Sequence, residues 1–157
     1  MRRRSRAVNG VLAALALGGG ACTVLGVDDY GEERDRLEEA RREWRNLGWD
    51  SYAFTLRRLC FCGGGTDPAE VVVLGGERVS VTVLETGEPV PAEWSQYYLT
   101  VEELFDFIED AIERKAHEIE IRYERATGLP ASIRIDYIEN AIDEEMAFEA
   151  SGLRALR

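Results

Sequence analysis

The stretch HEIEIRYERATGLPASIRIDYI, His117–Ile138, sets the class of fold. Ile119, Ile121 and Tyr123 alternate with Glu118, Glu120 and Arg122, and after a turn Ile133, Ile135 and Tyr137 alternate with Ser132, Arg134 and Asp136. A period of two puts each apolar set on one face of an extended strand. The link ATGLP is far too short for a parallel crossover, so the two strands are antiparallel neighbours with one wet face.

Working outward, the same logic recurs. Upstream, Thr100 and Glu103 in LTVEELF form a capping box, and Val101, Leu104, Phe105, Ile108, Ala111 and Ile112 follow at helical spacing with a broad apolar face. Downstream, Met146, Phe148 and Ala150 mark a last strand. The first part of the chain has the same order. A highly charged helix over Glu33–Leu47 carries a narrow stripe of Leu37, Ala40, Trp44 and Leu47, and Gly48 is placed to stop it. In SYAFTLRRLC, Tyr52, Phe54 and Leu56 oppose Thr55 and Arg57. AEVVVLGGERVSVTVLE reads as two strands around Gly75 and Gly76, with Val79, Val81 and Val83 opposite Ser80 and Thr82. TGEPVPAEWSQYY, with Pro89 and Pro91, reads as a loop. The expectation is an α+β fold, an antiparallel sheet of about six strands with two helices on one face, with a suggestion of two α-β-β-β halves.

The leader reads as an export signal. Arg2, Arg3, Arg4 and Arg6 precede an apolar run from Ala7 to Leu17 and small residues that end in Ala21 and Cys22. This order resembles a lipoprotein signal, in which Cys22 is acylated and becomes the N-terminus. The alternative is an uncleaved anchor, since Ala7–Val27 is long enough to cross a bilayer. Both place the remainder outside the cytoplasm, because the arginines stay inside. The division is then signal peptide 1–21, tether 22–32 and one α+β domain 33–157, lipid-anchored at the cell membrane.

Loss of residues 1–21 removes four arginines and no acids, which takes the net charge from -11 to -15 over 136 residues. So acidic a surface repels phosphate backbones and anionic headgroups, which excludes nucleic acid as a partner and leaves the lipid or anchor as the membrane link. With Cys22 lipidated, the other two of the three cysteines, Cys60 and Cys62, form an even pair in an oxidising compartment. Residues two apart on a straight strand have Cα atoms about 6.5 Å apart, near the roughly 6.8 Å limit of a disulfide, so the bond needs a bend. Gly63, Gly64 and Gly65 allow one. A disulfide leads the readings of this pair. A redox-active pair, a two-thiolate metal site and free thiols stay open.

Other chemistry is thin. His117, the lone histidine, reads as a solvated strand-edge residue and leaves little for a triad or a zinc site. Asp136, Glu139, Asn140, Asp143, Glu144 and Glu145 crowd one turn, but lack the alternating acids and fixed glycine of a calcium loop. The glycine triplet precedes no helix with a lysine, so it is no phosphate loop. Trp94, Tyr97 and Tyr98 are read as core or rim packing, or an aromatic patch. No catalytic residues, metal or cofactor are assigned.

The lipoprotein-like start, SYAFTLRRLCFC, TVEELFDFIEDAI, IRYERATGLPASIRID and NAIDEEMAFEAS together resemble a group of uncharacterised bacterial exported proteins and lipoproteins, classed as a domain of unknown function. The resemblance implies that the Cys-x-Cys pair and the loop at Gly128–Pro130 belong to the domain's design. It brings no activity. The expected function is a membrane-tethered, non-catalytic domain that binds an envelope protein or a small ligand. The alternative is a thiol-redox or metal-handling protein that uses Cys60 and Cys62.

Overall fold

Strand pairing joins two meanders into one sheet. The structure, a computed structural model, describes residues 29–138 and 145–157. Its elements are α1 (Asp29–Leu47), β1 (Tyr52–Leu59), β2 (Ala69–Leu74), β3 (Glu77–Val83), the short α2 (Ala92–Ser95), α3 (Val101–Glu113), β4 (Glu118–Tyr123), β5 (Pro130–Asp136) and β6 (Glu145–Ala155). The order across the sheet is β3-β2-β1-β6-β5-β4, and every pair is antiparallel. This is the expected α+β architecture, and helix followed by three strands occurs twice, with α2 inserted before α3.

The inward face carries Tyr52, Phe54, Leu56, Val71, Val73, Ile133, Ile135, Phe148 and Ala150, all buried. α1 covers it with Leu37, Ala40 and Trp44, and α3 with all six residues of its expected apolar face. The outward face is wet, and ion pairs cross it, Arg57–Glu149 and Arg134–Glu120 between neighbouring strands and Arg154–Glu70 from β6 over β1 to β2. Such exposed pairs add little stability each, roughly 0–1 kcal/mol. Burial of the other face drives folding.

Local chemistry sets the boundaries. α3 starts at the capping box: the Glu103 N–H donates to Thr100 Oγ1 at 3.2 Å, and the Thr100 N–H donates to Glu103 Oε2 at 2.7 Å. α1 ends at Gly48, whose φ of +64° suits glycine and whose N–H donates to the Arg45 carbonyl. The turn before β5 packs directly on α1. A Cβ built on Gly128 (φ +76°) would lie 2.1 Å from the Ala40 carbonyl oxygen, so only glycine fits there.

Three details differ from the sequence expectation. α1 begins at Asp29, so residues 29–32, assigned to the tether, are helical. Val79 does not share a face with Val81: the register of β2 and β3 shifts between Val72 and Val73, and Val79 is left 53 % exposed at the irregularity. β6 runs on to Ala155, with a second register shift beside Gly152 (φ +64°) that matches a bulge built on a left-handed glycine.

The direction of the strands sorts the loops by end. The β1–β2 loop, the end of β5, the start of β6, Leu84 and the first turn of α1 share one end, where the Tyr30 hydroxyl donates to the Ala116 carbonyl just before β4. Gly75, Gly76 and the end of β6 lie at the other. Among the described residues no helix is long and apolar enough to cross a membrane. The leader and Cys22 lie outside the described residues.

Candidate functional site

At its C-terminal end β1 leaves the sheet at Leu59, opposite Ala147 of β6, and turns at once. The turn brings Cys60 and Cys62 to a Cα separation of 5.3 Å, inside the range a disulfide spans, with the two sulfurs in contact. The bend expected from the glycines is therefore present. Phe61, the residue between, points away from the protein and is 84 % exposed. A hollow of about 280 Å³ beside it is lined by Leu59, Cys60, Phe61, Arg134, Glu145 and Ala147 on the outward face.

The glycines after the pair have a packing role. A Cβ on Gly64 would lie 2.8 Å from Trp94 Cε2, and one on Gly65 3.3 Å from Trp94 Cβ, so the loop lies flat against Trp94 at the end of α2. Tyr97 follows Trp94, with ring centroids 6.1 Å apart, and is 39 % exposed. Tyr98 is buried, and its hydroxyl donates to the Asp67 carbonyl at 2.7 Å. Burial pushes the Tyr98 phenol above its ordinary pKa, Asp67 adds to this and Arg58 opposes it. The aromatic trio is thus split: Tyr98 anchors the loop, Trp94 backs the glycines and Tyr97 faces outward.

Under Tyr97 lies a residue that sequence reasoning passed over. Arg58 projects from the inward face of β1, opposite Phe148 of β6, and is only 6 % exposed. Its guanidinium carbon sits 4.2 Å from the centre of the Tyr97 ring. Nε and Nη1 are buried and have no hydrogen-bond partner among the described residues. The signal was available, because Arg58 continues the inward parity of Tyr52, Phe54 and Leu56.

The other candidates separate from this end or carry less. His117 is exposed at the start of β4, as expected. In the acidic turn, residues 139–144 lie outside the described residues. Asp136 accepts the Ile138 N–H at 3.0 Å, and Glu145 is exposed. Among the described residues no three His, Cys, Asp or Glu side chains converge. A larger groove, about 770 Å³, runs between α1 and the β4–β5 turn and includes Arg36, Tyr123 and Gly128 in its lining. Its key groups are already engaged. Arg36 bonds Glu33 at 2.7 Å and the Ile121 carbonyl at 2.9 Å, and the Tyr123 hydroxyl donates to Glu33 at 3.2 Å. That groove is a structural seam between α1 and the β4–β5 turn, whereas Nε and Nη1 of Arg58 are buried without a hydrogen-bond partner among the described residues.

Residues 36–155, from α1 to the end of β6, match a family of unknown function, DUF6174. The chain belongs to that family. No curated protein and no solved structure matches it. The DUF6174 match includes Arg58, the Cys60–Cys62 loop, Trp94, Tyr97 and Gly128, so the whole candidate site lies within the family domain.

Proposed function

We propose that this DUF6174 protein is a non-catalytic binding domain, held outside the cytoplasm by lipid on Cys22, that engages an envelope protein or small ligand through the end carrying Cys60, Phe61 and Cys62. The observation that carries the reading is Phe61. A large apolar side chain 84 % exposed at the tip of a ring closed by two flanking cysteines gains nothing for the fold, and such a group is suited to bury itself in a partner. The position of α1 supports the tethering. Its first turn is at the same end, and residues 22–28 span at most about 25 Å when fully extended. A lipid on Cys22 would keep Phe61 close to the bilayer, where membrane-proximal partners are found.

Two measurements test this. Metabolic labelling with palmitate marks the wild-type chain and not Cys22→Ala; an unlabelled chain with residues 1–21 retained points to the uncleaved anchor instead. A photo-reactive phenylalanine at position 61 gives one dominant adduct in intact cells; no adduct, or the same adducts from position 74 at the far end, defeats the proposal.

The half-exposed setting of Cys60 and Cys62 favours one alternative, thiol-redox or metal handling. Thiol titration decides it. A pair that stays bonded in mild reductant, in a protein whose adduct survives replacement of both cysteines by serine, excludes the sulfurs from the function.

A further inference from the structure

The Arg58 guanidinium is a cation held inside the protein. Burying such an ion without a partner is strongly unfavourable. The cation–π attraction of the Tyr97 ring offsets only part of that cost. The nearby Tyr98 hydroxyl donates to the Asp67 carbonyl, and its oxygen makes no hydrogen bond with Nε or Nη1. Phe148 across the strand pair offers no acceptor.

We propose that Arg58 anchors an oxyanion-binding site that takes a carboxylate or phosphate group, with Tyr97 as the ring that covers it. The planar fork of a guanidinium holds either group through paired N–H donors, Nε with Nη2 or Nη1 with Nη2, and Arg58 Nε and Nη1 have no partner among the described residues. Tyr97 lies at the surface, held through its backbone N–H on the Trp94 carbonyl and not through its hydroxyl, so a rotation of its side chain uncovers the cation. Gly64 and Gly65, pressed on Trp94, hold the loop after the cysteine pair against the residue whose ring neighbours Tyr97. The acidity of the domain does not forbid an anion here. Charges farther away than the Debye length of about 8 Å are screened, whereas a contact pair in a partly buried site is not. The site deepens the reading of this end as a binding surface and rests on it. It supplies the ligand's chemistry.

The test uses the full-length protein in a neutral detergent. The midpoint of thermal unfolding is followed with inorganic phosphate, acetate and short-chain phosphatidylglycerol, each against chloride at equal ionic strength. The expected result is a rise of roughly 3–6 °C with at least one oxyanion and none with chloride. A response to phosphatidylglycerol but not to free phosphate assigns the group to a lipid headgroup, and a response to free phosphate or acetate assigns it to a soluble ligand. Arg58→Met binds at least tenfold more weakly and, without ligand, unfolds at the same or a higher temperature. Arg58→Lys, which keeps the charge but not the fork, also loses at least tenfold. Three outcomes overturn the proposal: no oxyanion-specific rise in the wild type, an undiminished rise in Arg58→Met, or a ligand-free Arg58→Met that melts more than about 5 °C lower, which means that the cation has an internal partner. Cross-linking at position 61 is read separately, so loss of the oxyanion response leaves the partner-binding reading standing, and the reverse also holds.

Discussion

Gly128 and Gly75 share a left-handed backbone, at φ +76° and +57°, but only Gly128 is hemmed in. Gly75→Ala places its methyl in open space and carries only the backbone penalty, roughly 1–2 kcal/mol. Gly128→Ala adds a collision with the Ala40 carbonyl and must push α1 from the sheet, so urea denaturation should give it the clearly larger loss; equal losses would mean that the close approach is absent. Glu33 gives a pH signature. Burial raises its carboxyl pKa against the opposing pull of Arg36 and of the Tyr123 hydroxyl. The folded chain therefore keeps this proton to a higher pH than the unfolded chain, and stability falls as pH rises from the ordinary carboxyl value through the raised one, then levels off. Glu33→Gln, which can still accept from Tyr123, should remove that segment of the stability–pH curve, a slope of at most about 1.4 kcal/mol per pH unit. Gly128 was legible as a motif through the family resemblance, but its reason, contact with α1, was not, since no local pattern announces which helix a turn will touch. Arg58 was legible by parity alone, and that its Nε and Nη1 have no hydrogen-bond partner among the described residues required the packed structure.

The elements with strong periodicity were read well. α3 was found with its cap and its whole buried face, because a capping box and a 3.6-residue stripe are both local signals. Thr100→Ala removes the acceptor for the Glu103 N–H and should cost about 1 kcal/mol in chemical denaturation. An unchanged midpoint would mean that tertiary packing alone holds the helix start. The Cys60–Cys62 ring closes so few residues that replacing both with serine should cost only about 1.5 kcal/mol globally. Hydrogen exchange should show the loss of protection confined to the β1–β2 loop, and general loosening of β1 would assign the bond a wider role. Val79 was misplaced because a bulge inserts a residue without changing composition, and strict alternation cannot register it.

At the scale of the molecule, the class and number of strands were legible, but their order was not. Neighbouring strands joined by short turns declare their pairing, whereas β1 against β6 joins residues about a hundred positions apart, and only burial of a common face brings them together. This seam makes β1 and β6 the middle of the sheet, flanked on both sides, while β3 and β4 are edges. Amide exchange should be slowest in β1 and β6 and fastest along the outer sides of β3 and β4; β4 as slow as β1 would mean that another chain covers that edge. The antiparallel seam also sends β6 away from the Cys60 loop, so that Ala155 ends beside Tyr52. Eight strand residues, about 26 Å, separate the two places. A fluorescent reporter or purification handle appended after Arg157 would therefore emerge well clear of Phe61 and Arg58, and a tagged version can be trusted to report on capture at that far pole without obstructing it.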